Sequence, residues 1–171
     1  AQGLVPMEML AVYNGSFQRD RAWANSYVVE DAADRQNTID EIKKQQAAND
    51  TRFQDYMKAT YGVDKDGQFI DPVDDSTYAM KDVVDAYYKY LFETFFPLAD
   101  KGYSTEFNDA WNGEYLTLAD GAGAAIETET QSVVTYGDGL MQKINQTATM
   151  MMILAISVTV VAALILIFLA W

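Results

Sequence analysis

The sequence predicts an all-α protein: an up-down-up-down four-helix bundle whose fourth helix continues into a C-terminal transmembrane helix. Three observations carry this expectation. Prolines occur only at Pro6, Pro72 and Pro97, and the stretches between them place apolar residues three and four apart rather than in alternation. Glycine- and aspartate-rich breaks divide those stretches into segments of similar length. After Lys143 no charged residue follows, and Met150 to Trp171 is almost purely apolar.

The first helix is expected over residues 4–30, where Leu10, Tyr13, Phe17, Ala24 and Tyr27 recur on one face. A turn containing Glu30, Asp31 and Asp34 follows, with Asp31 or Asp34 available as N-cap. The second helix, residues 34–61, has the cleanest period: Ile39, Ile42, Gln46, Asn49, Phe53, Tyr56 and Thr60 form a seam of the kind buried in bundles. Gln46 and Asn49, two amides in that seam, suit either register control or a polar pocket. From Tyr61-Gly62 to Asp75, turn formers and aspartates break the period and mark a loop.

The third helix, residues 75–101, has a seam of Met80, Val84, Tyr87, Leu91, Thr94 or Phe95, and Leu98, and Lys101-Gly102 closes it with a positive charge and a C′ glycine. Ser104 or Thr105 then caps the fourth helix, residues 104–147, with Glu106 in its first turn. Its expected seam is Ala119, Gly123, Ile126, Thr130, Val133, Gly137, Leu140 and Ile144, small and polar enough for another helix to approach closely. Glycines 121, 123, 137 and 139 each cost about 1 kcal/mol inside a helix, so a compensating partner is expected. Residues 148–171 read as the membrane helix, since Met150 to Trp171 would span roughly 33 Å against a hydrocarbon core of about 30 Å. Trp171 sits where an interfacial anchor would. A signal peptide would be shorter and N-terminal. A preceding membrane span and cytoplasmic output domains are expected outside this stretch, because the first helix lacks residues to match the lowest turns of the fourth.

Composition excludes several function classes. With no His and no Cys, the usual zinc sites, thiol nucleophiles and histidine-based triads lack their side chains. A net charge of −13 and no Lys/Arg cluster argue against nucleic-acid binding. Carboxylates are abundant but none falls in a glycine-rich or strand-end setting, so no enzyme, cofactor or metal is expected. Asp64-Lys65-Asp66-Gly67 has the look of a calcium turn, yet aligning Gly67 with the sixth position of an EF-hand loop puts Gly62 first and Val73 twelfth, where carboxylates are required. Asn14-Gly-Ser, Asn49-Asp-Thr and Asn145-Gln-Thr are glycosylation sequons by pattern, and their placement on helices argues against use.

Leu4-Val5-Pro6-Met7 with Met9, Leu10 and Tyr13, Arg19-Asp20-Arg21 with Asn25, Phe53-Gln54-Asp55-Tyr56, Pro97-Leu98-Ala99 with Gly102, Phe107 to Trp111, and Asn145-Gln-Thr-Ala before the apolar segment form a pattern. It resembles the sensor region of methyl-accepting chemotaxis proteins with a four-helix-bundle ligand domain. The resemblance implies a homodimer, detection of a small molecule on the periplasmic or extracellular side of the cytoplasmic membrane, and transmission through the fourth helix to an output domain. Histidine kinases and cyclases carry the same sensor fold, and a membrane-tethered structural bundle without a small-molecule ligand is the reading from another class.

Candidate ligand-binding residues are Arg19, Arg21, Trp23, Asn25, Tyr88 and Trp111. Arg21 lies one position past the first helix's seam, and its guanidinium suits a carboxylate, either a ligand's or that of a neighbouring helix. Arg19 and Arg21 are only loosely equivalent to the ligand-holding arginines of the enteric aspartate and serine receptors, whose wider spacing is not found here. Trp23, Tyr88, Phe95 and Trp111 either box a cation or ring, or pack the core. The expected ligand is a small carboxylate such as an amino or organic acid.

Overall fold

The computed structural model describes residues 4–68, 70 and 75–170, with side-chain surroundings for 5–68, 70 and 77–162. Residues 69 and 71–74 of the aspartate-rich loop, Pro72 among them, and Trp171 lie outside the described residues. The described residues are helical throughout, apart from turns, and include no strand; four helical stretches account for them.

Helix α1 is Leu4–Tyr27 and α2 is Ala32–Tyr61. Helix α3 comprises an α segment Asp75–Tyr90, a π turn Leu91–Phe95 and a final α segment Phe96–Asp100; α4 comprises Thr105–Ala110, a second π turn Trp111–Tyr115, and Leu116–Ala170. Capping resolves the alternatives left open by the sequence. Asp31 caps α2, its carboxylate accepting from the amides of Ala33 (3.0 Å) and Asp34 (3.1 Å), and α1 stops at Tyr27 to leave room for that turn. Ser104 caps α4 by accepting from the Phe107 amide at 3.1 Å. Gly102, at φ +89°, follows α3 in the left-handed conformation that ends helices.

Neither π turn is legible in an apolar period. Pro97 supplies a reason for the first: in a regular α-helix its ring would collide with the Glu93 carbonyl, and the widened turn ends just before it. The second has Gly113 at its centre. The two turns meet through side chains, with Phe95 stacked on Tyr115 at 4.4 Å between ring centroids and tilted against Trp111 at 5.4 Å.

Packing divides the chain into two compact units, Ala1–Val133 and Val134–Trp171. In the first, the seam of α1 lies inward as expected, with Leu10, Tyr13, Phe17, Ala24 and Tyr27 buried opposite Ile42, Asn49, Phe53 and Tyr56 of α2, while Ile39, Gln46 and Thr60 of the expected α2 seam are half-buried. In α3 the buried choice at the ambiguous position is Phe95, while Thr94 is half-buried. The seam of α4 is displaced by one residue at two places, with Ala122 and Glu129 buried and Gly123 and Thr130 half-buried, and its expected continuation is not buried: Gly137 and Leu140 are half-buried and Ile144 is exposed. Tyrosine dominates this core, and five tyrosines are among the largest fully buried side chains. In the second unit the described residues form one helix, and every described side chain from Met141 to Ala162 is exposed. By length and hydropathy this helix could cross a membrane.

Candidate functional site

The expected site residues sort into three places. Arg21 and Asn25, one helical turn apart on α1, meet α4: the Arg21 Nη2 donates to Asp120 Oδ1 at 2.6 Å, and Asn25 Oδ1 accepts from the Tyr115 hydroxyl at 2.6 Å. Trp111, one turn before Tyr115 on α4, packs against its ring at 5.2 Å. Arg21, Asn25 and Trp111 are thus joined through Tyr115 and Asp120. Arg19 and Trp23 instead face α2, with the guanidinium 5.3 Å from the centre of the indole and Nη2 donating to Gln45 Oε1 at 2.7 Å. Tyr88 belongs to the interior, where its hydroxyl donates to Asp20 Oδ2 at 2.6 Å.

The Arg21 side chain is 27% exposed and its partner Asp120 68% exposed. A pair this open is reachable from water, and the Arg21 guanidinium is of the type that pairs with carboxylates. Tyr115 lies nearby: burial raises its pKa, while the Arg21 charge pulls it down. The arrangement therefore places a positive donor and an exposed acid near the aromatic rings of Trp111 and Tyr115.

Sequence reasoning placed Asn49 in the α2 seam but missed the two interior acids, Asp20 and Glu129. Asp20, fully buried, occupies the α1 seam between Phe17 and Ala24, and burial holds its carboxyl at a pKa of about 6 despite the opposing effects of the Tyr88 hydrogen bond and the Arg19 and Arg52 charges. On α2, Asn49 Oδ1 accepts from Arg52 Nη1 at 2.7 Å, and the same nitrogen donates to Ser16 Oγ on α1 at 3.1 Å. Asp20 Oδ1, Asn49 Nδ2 and the Tyr87 hydroxyl are buried without a hydrogen-bond partner among the described residues. A second buried acid, Glu129 on α4, accepts from the Tyr56 hydroxyl on α2 and from Thr77 Oγ1 on α3, the latter at 2.8 Å. The spacing held the signal for both. Residues 10, 13, 17, 20, 24 and 27 continue one three-four alternation, as do 115, 119, 122, 126, 129 and 133, so each acid completes a seam.

At the end of the first unit away from Glu129, Tyr27 and Arg35 converge on Asp100: the phenol donates at 2.8 Å and Arg35 Nη1 at 3.2 Å, tying α1 and α2 to the end of α3. Among the described residues no group of three acids, histidines or cysteines could hold a metal ion. Asp64 spends its carboxylate on its own turn, accepting from the amides of Asp66 and Gln68, both at 2.9 Å. Compared with known proteins, the chain matches no family model, no curated protein and no solved structure.

Proposed function

We propose that this chain is the sensor part of a transmembrane receptor of the chemotaxis type. In this reading residues 1–147 form an up-down-up-down bundle on the periplasmic or extracellular side of the cytoplasmic membrane and residues 148–171 cross it. The bundle works as a homodimer and binds a small carboxylate, an amino or organic acid. The observation that carries the reading is the place of Asp120. It is the exposed counter-ion of Arg21, and it sits on the same helical segment, Leu116–Ala170, that farther along becomes apolar enough to span a membrane. A ligand carboxylate that takes Arg21 from Asp120 changes a contact between α1 and α4, and a receptor needs only such a ligand-dependent difference between two states. The chain does no chemistry on its ligand.

The competing reading is a membrane-tethered structural bundle. It is favoured by the fact that Arg21 already has an acid partner, as salt-bridged helices ordinarily do. A thermal-shift screen of the full chain in detergent against amino acids, dicarboxylates and amines separates the two. A ligand at about 100 times its Kd stabilises a sensor by about 2.7 kcal/mol, while a structural bundle shifts with none of the panel.

A further inference from the structure

We infer that Asp20, with the polar groups it meets between α1, α2 and α3, is a proton-binding site through which acidity re-pairs the hydrogen bonds joining those helices. This is a site separate from the Arg21–Asp120 pair and does not depend on the ligand reading.

The geometry is unusual for a structural carboxylate. Asp20 is 0% exposed, yet only one of its two oxygens has a partner: Oδ2 accepts from Tyr88, and Oδ1 has none among the described residues. A buried carboxylate that is to stay ionised needs several donors, or a cation in contact. Arg52, the cation on α2, is turned away to Asn49 Oδ1 and Ser16 Oγ. Arg19, beside Asp20 in the chain, is on the exposed side with Gln45 and Trp23. The groups facing Asp20 from α3 are Tyr88 and Tyr87; Tyr13 on α1 affects Tyr88, and α4 contributes Tyr115 against the ring of Tyr87 at 6.1 Å. All four phenols are pushed upward by burial and stay neutral, so none competes with Asp20 for a proton.

The step itself is simple. A proton from solvent forms an O–H bond at Oδ1, and the negative charge is lost. The oxygen that lacked a donor becomes a donor that needs an acceptor. The amide of Asn49 lies near enough to Tyr88 to ease that phenol's ionisation, which puts it in the same cluster, but its carbonyl oxygen is held by Arg52. Protonated Asp20 therefore competes with Arg52 for Asn49, or takes the Tyr88 oxygen as acceptor and turns that hydroxyl outward. Either change alters a bond between two helices. Tyr88 stands three residues before the π turn Leu91–Phe95, so the altered bond lies next to the segment of α3 with the least regular ladder.

The test uses the full chain in detergent micelles at pH 4 to 8. Carboxyl carbon NMR, with Asp20 assigned from its loss in Asp20→Asn, is expected to show a midpoint near pH 6, and the backbone amides of Asn49 and Tyr88 are expected to move with the same midpoint. A midpoint below about 4.5, in the range of ordinary aspartates, overturns the site. A midpoint near pH 6 with motionless Asn49 and Tyr88 amides overturns the re-pairing. Chemical unfolding gives a second readout. The folding equilibrium of the wild type, relative to Asp20→Asn, is expected to fall about tenfold per pH unit as pH rises between the unfolded and folded midpoints, and a ratio that is flat with pH overturns the proposal. Should Asp20→Asn fail to fold, Asp20 is assigned by through-bond correlation and the wild-type titration decides alone.

Discussion

Arg21→Ala separates ligand recognition from folding, because the two roles demand different magnitudes. The Arg21–Asp120 pair is 2.6 Å long but open to water, with Asp120 68% exposed. Pairs of this kind contribute about 0–1 kcal/mol, so the variant should lose no more than about 1 kcal/mol of stability, including the packing of the arginine stem. A carboxylate ligand bound through the guanidinium loses a charge-assisted contact, about 1.5–3 kcal/mol, or roughly ten- to 150-fold in Kd. The structure adds a second arm that the sequence could not supply. Since Asp120 is the acid a ligand must displace, Asp120→Asn should tighten carboxylate binding by about two- to fivefold, the return of that same weak pair. Urea unfolding and isothermal titration with the best carboxylate from the screen measure both. Unchanged affinity in Arg21→Ala, or a stability loss above about 3 kcal/mol, would refute the assignment and leave Arg21 as a structural tie between α1 and α4.

Three further outcomes follow from packing. Phe95→Ala removes a fully buried ring stacked on Tyr115, and should cost about 3–5 kcal/mol in denaturant unfolding; a loss under 1 kcal/mol would show that the facing π turns are not held by this stack. Gly62, at φ +70° with Ile70 Cδ1 3.3 Å from where a Cβ would sit, should lose about 1–2 kcal/mol on Gly62→Ala, read as a lower unfolding midpoint. Beyond its own helix backbone, no atom of the described residues lies within 4 Å of a Cβ built on Gly137, so Gly137→Ile should leave a monomer unharmed but weaken the proposed homodimer in sedimentation equilibrium; an unchanged association constant places the dimer contact elsewhere.

The helices were legible because their seams are mostly apolar and their ends carry strong punctuation. Asp31, Ser104 and Gly102 act as caps where the residue types said they should. What stayed hidden were the two places where a charge fills a seam. Reading α1 as Leu10, Tyr13, Phe17, Ala24 steps over Asp20, and reading α4 through Gly123 and Thr130 steps around Glu129, because acids are expected outside. Trusting the spacing over the residue type finds both. The π turns are a different failure, since a five-residue widening shifts later positions by about a quarter turn without changing which residue types appear. Residue counting put Tyr88 and Trp111 at one level with Arg21, but Trp111 reaches Arg21's neighbours through Tyr115, while Tyr88 turns to the interior acid.

The buried acids set limits on how the first unit can move. Asp20 on α1 is bonded to Tyr88 on α3, and Glu129 on α4 is bonded to Tyr56 on α2 and Thr77 on α3. Apolar seams of similar residues tolerate a slip of one turn, about 5.4 Å, with little change in buried area. These bonds do not, because a slip strands a carboxylate in the core, a loss of about 3–5 kcal/mol when a buried polar partner is removed. Each acid therefore fixes the level of its helix against a neighbour, as a single polar residue does in a coiled coil. What remains allowed is a displacement of about 1–2 Å, within the flexibility of a phenol and a carboxylate. For the receptor proposed above, that is the useful range: α4 can answer a ligand at Arg21 by a small shift while Glu129 keeps it from losing its place.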